Sequence, residues 1–129
     1  MSKKIDLAIV GATGAVGEAM IRILEQRGFP VGAIYLLASE RSAGTVLTFR
    51  GQPVRVGRLD EFDFSKVSLS LFSAGGSISA VHAPRAVATG CVVIDNTSHF
   101  RNDPDIPLVV PEVNPHALES CDGIIANPN

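Results

Sequence analysis

Apolar residues along this chain fall into short continuous runs, and the first run leads through a glycine-rich turn into an amphipathic segment. Residues 5–10 are almost continuously apolar, which is typical of a parallel strand buried on both faces. Residues 14–27 repeat apolar positions at helical spacing and predict a helix. Its core-facing stripe is predicted to run through Ala15, Ala19, Ile23 and Gln26, broadened by Val16, Met20 and Leu24. The opening of the chain therefore predicts strand, glycine turn and helix.

The same alternation of apolar runs and amphipathic segments continues to the end of the sequence. Further strands are predicted at residues 33–38, 67–72, 91–95, 108–110 and 123–126, and further helices at residues 77–89 and 115–121. Residues 45–49 and 52–56 flank Arg50-Gly51 and predict a small hairpin. Residues 59–66 predict a connector with a short helical turn. We expect an α/β, Rossmann-like doubly wound fold: a mostly parallel sheet with helices on both faces and a small β-hairpin insertion.

Composition limits the class of protein. The 129 residues are 46% hydrophobic and 19% charged, which suits one globular domain. A net charge of −2 and an aromatic content of 5% argue against a nucleic-acid partner. No apolar run is long enough for a membrane span and no signal peptide is recognisable, so no membrane association and a cytoplasmic location are expected. Cys91 and Cys121 are expected to be buried or structural thiols, and no metal site is predicted.

The first glycine turn is a candidate dinucleotide site. It reads Gly-x-x-Gly-x-x-Gly rather than the common Gly-x-Gly-x-x-Gly, so a tight turn without a ligand is the alternative. Glycines let the backbone approach a ligand, and the helix that follows offers N–H groups and a positive dipole end to a phosphate. The predicted cofactor-binding residues of this turn are Gly11, Thr13, Gly14, Ala15, Val16 and Gly17.

The end of the second predicted strand favours NADP over NAD. In a dinucleotide fold this position meets the adenosine ribose. Ser39, Arg41 and Ser42 could bind a 2′-phosphate, because arginine grips phosphate in a bidentate manner and serine donates to it. Glu40 lies among them and is expected to point away from the phosphate. The alternative is a polar loop with a solvated arginine.

Two further polar turns follow later strands. Ser73, Ala74 and Gly75 open a second glycine-rich turn, which could cradle the nicotinamide ribose and the diphosphate. Asn96 and Arg101 lie in a dense polar turn that could grip an oxyanion or a phosphate. A capped loop in which Arg101 pairs with a nearby aspartate explains the turn that contains Asn96 and Arg101 equally well.

Several motifs in fixed order resemble the aspartate-semialdehyde dehydrogenase family along essentially the whole chain. They are Gly11–Gly17, Leu37–Gly44, Leu71–Ser77, Val93–Arg101, Pro107–Asn114 and Ile124–Asn129. The resemblance implies an NADP-dependent oxidoreductase that reduces β-aspartyl phosphate to aspartate semialdehyde and releases phosphate. This reaction leads to lysine, threonine, methionine and diaminopimelate.

The resemblance also implies roles for individual residues. Thr13 to Val16 match the family's cofactor turn, and Arg41 and Ser42, with Ser39 beside them, match its grip on the 2′-phosphate. Residues 73–75 match the second cofactor loop. Arg101 matches the arginine that binds the substrate phosphate, and Asn96 is expected to line the same anion site.

No residue of this chain matches the family's nucleophile, a cysteine that directly follows an Asn-Pro-Asn element. That element here is residues 127–129, so the cysteine is expected immediately after Asn129. The expected organisation is a dinucleotide-binding domain at residues 1–129, inactive alone, with the catalytic and dimerisation domain of a homodimer or homotetramer downstream. The alternatives are a non-catalytic nucleotide- or partner-binding paralogue and a sister reductase of another acyl phosphate, such as N-acetylglutamyl phosphate.

Overall fold

The computed structural model describes residues 4–95 and 124–126 of the chain. The strands are β1 (Ile5–Val10), β2 (Val31–Ala38), β3 (Val46–Phe49), β4 (Gln52–Arg55), β5 (Gly57–Arg58), β6 (Leu69–Phe72), β7 (Val92–Asp95) and β8 (Ile124–Ala126). The helices are α1 (Ala15–Gln26) and α2 (Gly76–Val87), and Leu59–Glu61 and Phe64–Lys66 form short 3-10 turns. The predicted strand at 108–110 and the predicted helix at 115–121 lie outside the described residues.

Six of these described strands form one parallel sheet in the order β5-β2-β1-β6-β7-β8. If the β3-β4 hairpin is set aside as an insertion, this is the 3-2-1-4-5-6 order of a doubly wound dinucleotide fold. The chain winds outward from β1 in one direction and then from β6 in the other. The order therefore reverses between β1 and β6, where Val10 pairs with Phe72. A crevice for ligands is expected at the carboxyl ends of these two strands.

The sheet is buried on both faces, as its near-continuous apolar strands predict. Along β1, Ala8 and Val10 pack into a cluster with α2 and the 3-10 turns, whereas Leu7 and Ile9 pack into a cluster with α1 and the hairpin. All four residues have no exposed surface. The expected arrangement of a parallel sheet with helices on both faces and a small hairpin is confirmed.

The predicted core face of α1 is confirmed at Leu24, which is buried, and at Met20, which packs against the core, but it is wrong at other positions. Its buried residues are Gly17, Ile21 and Leu24, whereas the side chains expected in the core include Val16 and Ile23, which are 44% and 53% exposed. The physical reason lies at Gly17, where a Cβ would stand 2.1 Å from the Gly11 carbonyl oxygen. This close approach turns the glycine toward the sheet and so fixes the rotation of the whole helix. Hydrophobicity alone does not reveal a glycine at the contact.

The region after the hairpin contains a strand that the sequence pattern does not reveal. The predicted hairpin is confirmed, with Phe49 opposite Gln52 and the two strands forming a sheet of their own. Directly after it, the two residues of β5 pair in parallel with Leu37 and Ala38 of β2. Two residues are too few to show periodicity. This short strand brings Leu59 to the carboxyl end of the sheet.

Candidate dinucleotide-binding site

The first glycine turn is fixed to its neighbours by backbone contacts. The N–H groups of Gly11 and Ala12 both donate to the Leu37 carbonyl of β2, at 2.9 and 3.2 Å. Gly11 has φ +87°, and a Cβ there would lie 2.9 Å from the backbone nitrogen of Ala74. Only glycine combines this backbone conformation with so close a neighbour. The turn after β1 therefore lies directly against the turn after β6.

The second glycine turn is tied to the end of β1. The Ser73 N–H and Oγ both donate to the Val10 carbonyl, at 2.9 and 3.0 Å. Gly75 follows with φ +106° and is the N-cap of α2. The two turns expected to contact a dinucleotide thus meet at the place where the strand order reverses.

The first turn of α1 begins at this crevice, and its N-cap Gly14 lines a cavity there. The Gly14 N–H donates to the Gly11 carbonyl at 3.1 Å, and the Gly14 carbonyl accepts from the Glu18 N–H at 2.9 Å. The N–H groups of the first turn of a helix have no intrahelical partner, and glycine has no side chain to cap them. They are available to an anion, and the helix dipole favours negative charge there.

A cavity of about 460 Å³ opens between the two turns and the end of β2. Its lining includes seven of the predicted cofactor-binding residues: Gly11, Thr13, Gly14, Ser39, Ser42, Ser73 and Ala74. Three more residues line the cavity that are not predicted from the sequence: Ala38, Leu59 and Ile78. Ala38 and Ile78 could have been found as the last residue of a predicted strand and an early residue of a predicted helix. Leu59 could not, because its position depends on β5.

The other predicted cofactor-binding residues do not line this cavity. Gly17 is buried beneath the turn, and Ala15, Val16 and Gly75 are exposed around it. Arg41 is exposed in the turn after β2, where the N–H groups of Ser42 and Ala43 both donate to the Ser39 carbonyl at 3.0 Å. Asn96 and Arg101 lie outside the described residues. The roles of all these residues remain predictions.

The guanidinium group of Arg58 contacts three acidic side chains beside the end of β2. Arg58 forms a two-point contact with the Asp60 carboxylate, with Nε 3.1 Å and Nη2 2.8 Å from its oxygens. Arg58 also lies 3.3 Å from Glu61 and 3.9 Å from Glu40. The hydrogen bonds between Arg58 and Asp60 hold the pKa of Asp60 below its usual value and raise the pKa of Arg58. Glu40 does not line the cavity, and the expectation that it points away from the phosphate stays a prediction.

The described part of the chain buries the polar side chains of Ser70, Ser79 and Asp95 and the thiol of Cys91. Asp95 ends β7 with no exposed surface and accepts a hydrogen bond from Ser79 Oγ of α2 at 2.9 Å. Cys91 is a buried free thiol 3.1 Å from Ser70 Oγ, and burial raises its pKa. Residues 4–95 contain no cluster of three His, Cys, Asp or Glu side chains that could hold a metal ion. Neither described helix is long and apolar enough to cross a membrane.

The strand order, the paired glycine turns and the open helix N-terminus define an NAD(P)-binding domain of the doubly wound class. Residues 6–121 match the model of the semialdehyde dehydrogenase, NAD binding domain, and the chain belongs to that family.

Individual relatives agree with this assignment. The chain is 59% identical to aspartate-semialdehyde dehydrogenase 2 of Vibrio cholerae and 58% identical to the aspartate-semialdehyde dehydrogenase of Legionella pneumophila, over 100% of its own length. It spans 39% and 38% of the length of those relatives. The resemblance inferred from the motifs is thereby confirmed.

Solved structures give the same result for the fold. A crystal structure of aspartate semialdehyde dehydrogenase II from Vibrio cholerae, complexed with ASA, superposes with a TM-score of 0.95 at 58% identity, over 98% of this chain and 43% of that one. An aspartate semialdehyde dehydrogenase from Candida albicans, solved with NADP, shares the fold at a TM-score of 0.82 and 24% identity, over 96% and 42% of the two chains.

Proposed function

We propose that residues 1–129 form the NADP-binding domain of an aspartate-semialdehyde dehydrogenase. The proposed reaction is the reduction of β-aspartyl phosphate to aspartate semialdehyde with release of phosphate. The observation that carries the proposal is the single cavity lined by both glycine turns together with Ser39 and Ser42. Family membership and the identity of 59% to a Vibrio cholerae enzyme of this name support it.

The dinucleotide would lie across the crevice between β1 and β6. Its diphosphate would meet the N-terminus of α1 above Thr13 and Gly14, where N–H groups and the helix dipole favour an anion. The adenosine 2′-phosphate would meet Ser39, Arg41 and Ser42 after β2. Such a cofactor supplies the hydride for the reduction. The role of this chain is to bind and orient it.

The substrate phosphate would be held by Arg101, with Asn96 in the same anion site. The nucleophile would be a cysteine directly after Asn129, in line with a chain that spans 39% of the Vibrio cholerae relative. The catalytic and dimerisation domain would follow, within a cytoplasmic homodimer or homotetramer without nucleic-acid or membrane partners. The 129 residues alone would then be inactive, because the proposed nucleophile is not among them.

A binding experiment tests the cofactor assignment. In the full-length protein that contains this chain, Ser42→Ala should weaken NADPH binding about tenfold more than NADH binding, because a hydrogen bond to a charged phosphate is lost. Ser68→Ala is the matched control, since Ser68 is exposed and lies outside the cavity lining. Equal losses for both cofactors, or full-length protein that binds neither, would contradict the assignment.

A kinetic experiment tests the substrate. The full-length protein is assayed for phosphate-dependent reduction of NADP with aspartate semialdehyde and, separately, with N-acetylglutamate semialdehyde. Turnover of the first aldehyde and not the second is the expected outcome. Preference for the second would favour the sister reductase, and turnover of neither, with NADPH still bound, would favour a non-catalytic paralogue.

A further inference from the structure

The side chain of Arg58 lies next to the segment expected to hold the adenosine ribose. In the sheet, Arg58 of β5 pairs directly with Ala38, the last residue of β2. Glu40 follows Ala38 by two positions, and Arg58 Nη2 lies 3.9 Å from its carboxylate. An arginine on the edge strand is thus brought beside the end of β2, although 18 positions separate it from Glu40 in the sequence.

Arg58 is held in place by more than this one contact. Its guanidinium makes the two-point contact with Asp60 and lies 3.3 Å from Glu61, and its side chain is 34% exposed. The Glu40 side chain is 79% exposed, and its carboxylate lies farther from Arg58 than those of Asp60 and Glu61. The fixed partner in the Arg58–Glu40 pair is therefore the arginine, and the adjustable partner is the glutamate.

The direction of the Glu40 carboxylate matters for cofactor choice. An acidic side chain after the second strand accepts hydrogen bonds from a ribose 2′-OH and so favours NAD, whereas it repels a 2′-phosphate. Arg58 does not line the cofactor cavity but lines a smaller one beside it, next to Tyr35 and Phe62. Glu40 does not line the cofactor cavity either, so its contact with Arg58 lies outside that cavity.

We propose that Arg58 is a positioning residue that sets the preference for NADP over NAD by holding the Glu40 carboxylate away from the adenosine ribose. This role rests on the proposed function of the domain. Without the guanidinium, the carboxylates of Glu40, Asp60 and Glu61 would repel one another. Glu40, the most exposed of the three, would then turn toward the ribose, where it opposes a 2′-phosphate and accepts from a 2′-OH.

The test is a double-mutant cycle in the full-length protein, with the dissociation constants of NADPH and NADH as readout. Arg58→Met should lower the ratio of the NADH constant to the NADPH constant about three- to fivefold, the size expected for an exposed charge pair. In a protein that already carries Glu40→Gln, Arg58→Met should change this ratio of dissociation constants by less than about twofold. Arg55→Met is the control, because Arg55 lines the same small cavity and forms no ion pair within residues 4–95.

A merely structural role for Arg58 gives a different result. Loss of folding would weaken both cofactors together and leave their ratio unchanged, and thermal unfolding of each variant would show it. An unchanged ratio in Arg58→Met overturns the proposal, as does an equal change in the presence and absence of Glu40. Failure of the proposed function looks different, because the wild-type protein would then bind neither dinucleotide.

Discussion

Two glycines of the first turn, Gly14 and Gly17, separate cofactor binding from folding in one pair of variants. A Cβ at Gly14 would have only the Gly11 carbonyl oxygen within 4 Å, at an ordinary 3.5 Å. The backbone there has φ −83°, which alanine adopts freely. Gly14 lines the cavity, so the added methyl group would project into the space expected to hold the diphosphate. Gly14→Ala should therefore fold and yet bind the dinucleotide poorly.

The expected loss follows from the contacts that the methyl group blocks. A hydrogen bond from a backbone N–H to a charged phosphate contributes about 1.5–3 kcal/mol. Displacing one such bond weakens binding by about 10- to 150-fold. The measurement is the dissociation constant of NADPH in the full-length protein, together with its urea midpoint. The midpoint should stay close to the wild-type value.

Gly17→Ala is the matched comparison with the opposite outcome. Its Cβ would lie 2.1 Å from the Gly11 carbonyl oxygen and 2.8 Å from the Ala12 Cα, both backbone atoms. Helix α1 would have to move by about 1 Å, and overpacking of this kind costs about 1–3 kcal/mol or more. The urea midpoint should fall. Wild-type NADPH affinity in Gly14→Ala, or a wild-type midpoint in Gly17→Ala, would refute this account of the turn.

Three further substitutions test other parts of the molecule. Arg41→Ala should weaken binding of NADPH much more than that of NADH, and equal losses would remove Arg41 from the 2′-phosphate site. Arg101→Leu in the full-length protein should raise the KM for phosphate and for the acyl phosphate, and unchanged constants would argue against an anion anchor. Because burial raises the pKa of the Cys91 thiol, the folded state keeps a proton that the unfolded chain releases, so the free energy of unfolding should fall as pH rises above 9.0. Cys91→Ala should reduce that fall in urea unfolding at pH 7 and pH 9.5, and an unchanged pH dependence would exclude the thiol as its cause.

The position of the site could be predicted from the sequence because strand ends carry local signals. Glycines after residues 5–10 and polar residues after residues 33–38 and 67–72 mark loops that parallel strands bring to one edge. The motifs in these loops were specific enough to indicate the family. Each of these signals lies within a few residues of the strand that positions it.

The amino-acid sequence by itself determined the succession of the described strands and helices apart from β5, together with the hairpin, the glycine turns and the family. These depend on periodicity, turn chemistry and short motifs, which are local properties of the chain. The tertiary structure decided which face of α1 is buried, where β5 and Leu59 lie, and that Arg58 stands beside Glu40. These depend on contacts between residues far apart in sequence, such as the Gly17 contact with the Gly11 carbonyl and the pairing of Arg58 with Ala38. Close backbone contacts and strand pairing determine which of these distant residues meet, and the hydrophobic pattern of the sequence does not specify those contacts.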